Sequence, residues 1–210
     1  CRTCSIMSGE GGCGAFSDGK FPITNDFGGN LWEYVGKEKS LKLQQTVDII
    51  NRRLYYQSKG CEDSGSISRF EYNYPEEKYP RLYSSKNSPF KKICTQHNLH
   101  LLDADIRHLG TDVGQIIYKQ LITSIESNVE ILANRTVYEI KPLDNYYRLG
   151  IKFHPDGEGH TYYKAKNVVI AAGRSGSKWV KQVCSDLGIQ TKANRVDIGV
   201  RFECPDEIRN

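Results

Sequence analysis

The sequence has one methionine, Met7, and does not begin with it; the first residue is Cys1. That predicts a piece of a longer protein or a processed N-terminus, and no signal peptide supports a lipid-bearing Cys1. No apolar run approaches the length of a membrane-spanning helix, which predicts no membrane partner. There is no strong excess of one charge. Lys and Arg number 29 against 25 Asp and Glu, a net of +4. The basic residues are scattered along the chain, and that scatter predicts no nucleic-acid partner. A Gly-x-Ser-x-Gly elbow and a zinc-protease His pair are both absent, which argues against a hydrolase. Internal repeats and low-complexity tracts are absent too.

What remains fits a folded chain of ordinary composition. Apolar residues make up 38% and charged residues 26% of 210 residues. That length suffices for a real core and one or two domains. The seven cysteines are odd in number and irregularly spaced. They read as mostly reduced thiols in a cytoplasmic protein. Cys1 and Cys4 form a Cys-x-x-Cys pair. With no second pair of matching spacing it is half a zinc site at most, so no metal site is assigned.

Glycine is concentrated where chemistry is expected. Seven glycines fall between Gly9 and Gly29, too many for a regular element. Within that stretch runs Gly11-Gly12-Cys13-Gly14-Ala15-Phe16-Ser17-Asp18-Gly19-Lys20. A second punctuated segment, Val168-Val169-Ile170-Ala171-Ala172-Gly173-Arg174-Ser175-Gly176, reads as a buried strand entering a tight turn. Small residues at a strand end let a ligand or another backbone come close.

Between them the periodicity changes several times. Leu43, Val47, Ile50 and Leu54 recur at helical steps over residues 39–57, and Gly60 ends that run. Residues 61–88, rich in Tyr and Ser and broken by Pro75 and Pro80, read as an exposed connection. Ser88-Pro89 predicts a short helix with Phe90, Ile93 and Cys94 facing the core. A strand is expected over 99–106. Asp112 and Gln115 predict a capping box for a helix with Val113, Ile116, Ile117, Leu121 and Ile125 on one face. Strands are expected at 129–133, 135–141, 146–153 and 160–165, the later ones forming a β-meander. A buried strand over 167–172 and a helix over 176–187, ended by Gly188, follow. Val196 to Glu203 reads as one more strand. Strands alternating with helices favour an α/β fold with a mainly parallel sheet, the meander being the antiparallel crossover.

This order resembles the second half of an FAD-binding domain of the glutathione-reductase type, in which a meander leads into a strand ending in an Ala-Thr-Gly-like turn. Ala171-Ala172-Gly173 stands at that place. Nearly the whole chain is similar to a group of bacterial FAD-dependent dehydrogenases of poorly defined substrate. The matching segments are Cys4-Ser5-Ile6, Gly11 to Lys20, Arg107-His108-Leu109-Gly110-Thr111-Asp112, Ala171 to Gly176 with Trp179, and Gly199-Val200-Arg201-Phe202-Glu203. That family begins with a strand and a Gly-x-Gly-x-x-Gly turn whose helix holds the pyrophosphate. Here Gly9, Gly11, Gly12 and Gly14 lack a preceding strand. The chain therefore corresponds to a part without the N-terminal unit, and the family continues past residue 210.

The resemblance implies an α/β fold: a partial FAD/NAD(P)-binding, Rossmann-like domain with a β-meander crossover, plus part of a second, substrate-side domain. Residues 1–20 and 99–189 would belong to the first, 21–98 and 190–210 to the second. It implies FAD as cofactor, a small-molecule substrate, and NAD(P)H as a candidate electron donor. The cofactor would meet Gly11, Gly12, Gly14, Ala15, Phe16, Ser17, Asp18, Gly19 and Lys20 in one segment. It would meet Ala171, Ala172, Gly173, Arg174 and Ser175 in the other, and its adenine would meet the backbone at Val137. Glycine N–H groups suit an anion or a flavin edge. Ser17 and Asp18 suit the ribityl chain, and Lys20 offsets negative charge. No catalytic acid or base is assigned. His108 is a candidate because its ordinary pKa lies near neutrality, while Asp112 reads as a helix cap. Two other classes stay open. One is a non-catalytic or incomplete nucleotide-binding module. The other is a thiol or metal protein using Cys1, Cys4 and Cys13.

Overall fold

Two antiparallel three-stranded sheets and five helices make up the architecture of the computed structural model, which describes residues 11–16, 18–61, 78–153, 159–173, 175–193 and 198–200. The chain divides into two compact units, Cys1–Asn134 and Arg135–Asn210. Among the described residues, no helix is long and apolar enough to cross a membrane.

In the first unit a 3-10 turn, Gly12–Phe16, precedes strand β1 (Lys20–Ile23). Helix α1 (Leu31–Val35) and the long helix α2 (Lys37–Ser58) follow, with Gly36 at φ +83° as the corner between them. Strand β2 (Leu82–Ser84), helix α3 (Phe90–Gln96), strand β3 (Asp105–His108) and helix α4 (Gly110–Glu126) complete the unit. The strand order is β1-β3-β2, so β3 is central. Arg107 stands opposite Phe21 on one side and Leu82 on the other.

Helix α2 is where the sequence expects it, and Gly60 ends it at φ +80°. Its buried face differs from the expected one. Leu43, Val47 and Ile50 are exposed, while Ser40, Asn51, Arg52, Leu54 and Tyr56 are buried. The reason is polar docking. Gln44 Oε1 accepts from the Thr24 N–H at 2.7 Å, and its Nε2 donates to Ser40 Oγ at 3.2 Å. One turn further on, Asp48 meets Arg107. Arg107 is only 2% exposed. Its Nε and Nη2 donate to the two Asp48 carboxylate oxygens at 3.0 and 2.6 Å, and its Nη1 donates to the Pro80 carbonyl at 2.8 Å. The guanidinium also lies 5.1 Å from the centre of the Tyr79 ring. An apolar cluster of Leu54, Tyr56, Tyr79, Leu109 and Ile117 closes the core beside it.

Several expected elements shift. The connection 61–88 contains β2 and one of the most buried residues, Tyr79, because β3 needs a partner on its second edge; residues 62–77 lie outside the described ones. The strand expected at 99–106 forms at Asp105–His108, where both neighbours pair with it. Helix α3 starts after Ser88-Pro89, and Ser88 Oγ accepts from the Phe90 N–H at 3.3 Å. Yet Phe90 and Ile93 are exposed rather than in the core. Helix α4 begins at Gly110, two residues before Asp112, with no side-chain cap. Asp112 therefore sits inside the first turn, where its charge favours the helix dipole, and not at the cap. Residues 129–133 form no strand.

The second unit holds the meander: β4 (Arg135–Leu143), β5 (Tyr146–Phe153) and β6 (His160–Ala165), all antiparallel and within a few residues of the expected bounds. Tyr138 is the extra residue of a bulge between Val137 and Glu139. Ile140 and Ile151 are buried on one face. Helix α5 (Ser177–Asp186) also agrees with expectation, and Gly188 at φ +68° ends it. The buried strand expected over 167–172 is a correction. Those residues join no ladder, and Val169 is 91% exposed. A run of β-branched residues becomes a strand only against a paired neighbour, and none pairs with it among the described residues. The expected mainly parallel sheet is corrected likewise, since every described pairing is antiparallel. The strand read at Val196 to Glu203 falls largely outside the described residues, and 198–200 carry no regular structure.

Breaking a buried, doubly bonded ion pair from one side leaves a bare charge behind. Asp48→Ala is expected to cost about 3–5 kcal/mol in urea unfolding. Lys91→Ala, which removes an exposed pair with Asp103, should cost no more than about 1 kcal/mol. Equal, small losses in both variants would show that Arg107 does not hold α2 to the sheet.

Candidate functional site

The glycine segment 11–20 and the segment Arg107–Asp112 are about ninety residues apart in sequence and meet in the first unit. Lys20 pairs with His108 across β1 and β3. The Leu109 N–H donates to the Gly19 carbonyl at 2.9 Å. Gly19 is buried at φ +62°, and a Cβ there would come 2.6 Å from the Gly110 carbonyl oxygen. Only glycine permits that backbone-to-backbone approach. Gly11, at φ +76°, lies against the Tyr118 ring of α4; a Cβ would sit 2.7 Å from its Cζ.

Three charged or titratable side chains converge at this junction. Asp18 Oδ2 lies 2.7 Å from Lys20 Nζ, and Asp18 Oδ1 lies 3.1 Å from His108 Nε2. All three are exposed. The hydrogen bond from Lys20, then the one from His108, holds the Asp18 carboxyl below its ordinary value of 3.8. The carboxylate therefore stays ionised and can orient the imidazole. Strand alternation explains why His108 reaches the surface while Arg107 is buried.

The glycines of the segment divide into two kinds. Gly11 and Gly19 are consumed by contacts within the protein. Among the described residues, nothing lies within 4 Å of the place a Cβ would take at Gly12 or Gly14. Ala15 beside them is half-buried. Ser17 lies outside the described residues, and the side chains of Cys13 and Phe16 do too.

The remaining expected positions belong to the second unit. Val137 is half-buried in β4 opposite Ile151, next to the bulge. Ala171, Ala172 and Ser175 are exposed, and Arg174 lies outside the described residues. Gly173 adopts φ +63° with open space around it. Gly176 is the tightest position of that turn, where a Cβ would come 2.4 Å from the Ala172 Cβ. Sequence reasoning did not single out the Asp48–Arg107–Tyr79 group. The sequence offered little signal for it, since the central strand reads Asp105-Ile106-Arg107-His108 with a single apolar residue, and the burial of Arg107 comes from distant partners.

Among the described residues no group of three or more His, Cys, Asp or Glu stands together to hold a metal ion. Cys61, Cys94 and Cys184 are free thiols. No family model, curated protein or solved structure matches this chain.

Two outcomes follow from the geometry. Gly19→Ala should lower stability by at least about 2 kcal/mol, because backbone cannot yield, whereas Gly14→Ala should stay within about 0.5 kcal/mol. Chemical denaturation of both variants checks this, and equal losses would contradict the division. The pH dependence has a definite sign. A carboxylate held below its unfolded pKa stabilises the fold above that value and loses the contribution as pH falls through the folded one. The melting-temperature gap between the parent and Asp18→Asn should be open at pH 6 and close below pH 3.8. A gap that does not begin to narrow as the pH falls below 3.8 would show that Asp18 acts otherwise.

Proposed function

We propose that this chain is part of an FAD-dependent oxidoreductase that moves hydride between a small-molecule substrate and the flavin. The observation that carries the reading is the junction of Gly11–Lys20 with Arg107–Asp112. These are two of the segments on which the resemblance to FAD-dependent dehydrogenases rests. They are distant in sequence and adjacent in space through the Lys20–His108 pairing and the Leu109–Gly19 hydrogen bond. Among the described residues nothing fills the Cβ side of Gly12 in the first unit or of Gly173 in the second, and that room suits a planar or anionic group.

When bound, the flavin would supply the hydride chemistry. Lys20 offsets negative charge on the cofactor. Asp18 holds the imidazole of His108 at the junction through Nε2, and release of that contact would leave Nε2 to exchange a proton with a substrate. In the first unit the proposed cofactor contacts are Gly12, Gly14 and Ala15; the resemblance implies Val137, Ala171, Ala172, Gly173, Arg174 and Ser175 as the Rossmann-like contacts of the second. NAD(P)H is the proposed electron donor. Free thiols at Cys61, Cys94 and Cys184 support a cytoplasmic setting.

A second reading, an incomplete nucleotide-binding module without activity, is favoured by one observation. The glycine run leads into a 3-10 turn, whereas a pyrophosphate-binding fingerprint requires a helix there.

The test is an absorbance spectrum from 300 to 600 nm after FAD is added and the excess removed. Retained flavin bands, weakened roughly ten-fold in apparent affinity by Lys20→Gln, are the expected result for one lost charge-assisted contact. No retained flavin in folded protein, alone or extended upstream, would overturn the oxidoreductase reading. Retained flavin that dithionite reduces but neither NADH nor NADPH does would select the inactive module.

A further inference from the structure

The strands of the meander gather charges that look scattered in sequence. β4, β5 and β6 carry five Lys or Arg and a single acidic residue, Glu139. The register sorts most of them onto one face. Lys141 stands opposite Arg148, and Arg148 stands opposite Lys164. Three cations thus form a row straight across the sheet. Four residues away in each strand, Lys152 stands opposite His160. Residues directly opposite share a face, and like charges placed so destabilise a sheet. The opposite face carries the buried Ile140 and Ile151, so the cation face is the solvent side.

Between the two basic rows lies an aromatic one. Gly150 faces Glu139 and Tyr162. It leaves a floor on which the Tyr138 ring rests, 2.7 Å from where a Cβ would be. The Tyr138 hydroxyl donates to the Tyr162 hydroxyl at 3.3 Å. Tyr146 completes the set beside Lys164. Tyr162 is 56% exposed, and Lys141, Lys152 and Lys164 are exposed as well. Glu139 neutralises one cation only, accepting from Arg148 Nη2 at 3.0 Å. The Arg148 Nε–H has no hydrogen-bond partner among the described residues.

We propose that this face binds single-stranded nucleic acid. Phosphates would run along the two basic rows, about 14 Å apart at roughly 3.4 Å per residue. Bases would stack against Tyr162 and Tyr138 between them. Aromatic side chains on an open sheet flanked by cations suit unpaired bases, which have free faces. A duplex keeps its bases stacked inside and offers the tyrosines nothing. The surplus of this row, three cations to one carboxylate, is the decisive feature: it costs stability in the free protein and is relieved by a polyanion. This inference does not depend on the flavin reading.

The test is fluorescence anisotropy of a labelled twelve-residue oligothymidylate with the full chain, against a duplex of equal length and heparin. Four cations predict a logarithmic salt slope of roughly −3, hence about fifty-fold weaker binding at 200 mM than at 50 mM salt. The double substitution Lys141→Gln with Lys164→Gln should halve that slope and melt no lower than the parent. Lys152→Gln alone should lower the slope by about 0.7. Tyr162→Leu should weaken the oligonucleotide roughly ten-fold and leave heparin unchanged. Absence of oligonucleotide binding at 50 mM salt would overturn the proposal. So would equal affinity for the duplex, or indifference to Tyr162→Leu, either of which would mark a general polyanion surface.

Discussion

The first unit depends on the Arg107–Asp48 ion pair. Arg107 occupies the middle strand of a three-stranded sheet, so its position fixes both neighbours in register. It bonds α2 through both carboxylate oxygens and the chain at Pro80 through a third contact. One side chain thereby ties together a strand, the longest helix and the segment that leads into β2. A guanidinium can do this because its donors lie in a fixed plane and its face accepts a ring such as Tyr79. Burial is also felt by that ring: desolvation first, then the nearby Asp48 charge, pushes the Tyr79 hydroxyl well above its ordinary pKa and keeps it neutral. The anchor reaches the candidate site by a single peptide bond. Arg107 points inward and His108 outward, so fixing the first aims the second at Asp18.

The two sheets handle charge in opposite ways. Inside the first unit, a cation is surrounded by a bidentate carboxylate, a carbonyl and a ring face. At the start of the central strand of the same sheet, Lys86 bonds Asp105 at 2.5 Å, and just before it Lys91 bonds Asp103. For Asp105 burial opposes ionisation, yet the bonds from Lys86 and Ser84 outweigh it and lower its pKa. On the meander, by contrast, three cations stand in register with one carboxylate among them. The first arrangement is what a fold requires. The second is more than a fold requires, and that surplus directs attention to an anionic partner.

The readable part of the fold was the part governed by local pattern. α2, α4, α5 and the meander were legible because turn residues bounded them and their apolar residues kept one period. Gly60 and Gly188 end helices where expected because each takes a positive φ that few other residues adopt. What was hidden depended on distant partners. The polar face of α2 could not be read from Leu43, Val47 and Ile50, because Gln44 and Asp48 find their partners at Thr24 and Arg107. β2 was hidden in a stretch rich in Tyr and Ser, since its pairing comes from residues more than twenty positions away. The run 168–172 shows the converse: strong local β character forms no strand without a neighbour. In the candidate site, Asp18, Lys20 and the glycines were legible as a segment, but their meeting with His108 was a matter of register.

The glycines separate what the fold needs from what a ligand could use. A glycine whose absent Cβ would strike backbone, as at Gly19 against Gly110 or Gly176 against Ala172, is explained by packing alone. No ligand need be invoked for it. A glycine with open space at that place has no such explanation. Gly12 and Gly173 adopt positive φ, so turn geometry accounts for them in part. Gly14 has neither a crowded Cβ position nor a positive φ. An alanine would fit there without strain, and would reduce the conformational freedom of the unfolded chain. Within a segment otherwise spent on turns and close contacts, Gly14 is therefore a position that neither a positive φ nor a crowded Cβ among the described residues accounts for. It lies four residues before Asp18, on the stretch that carries the charged cluster. Backbone openness and charge are thus adjacent in one short segment, held against α4 by Gly11 and against the start of α4 by Gly19. A segment anchored at both ends loses less entropy when it is ordered further, so those two close contacts set the geometry of the charged cluster between them.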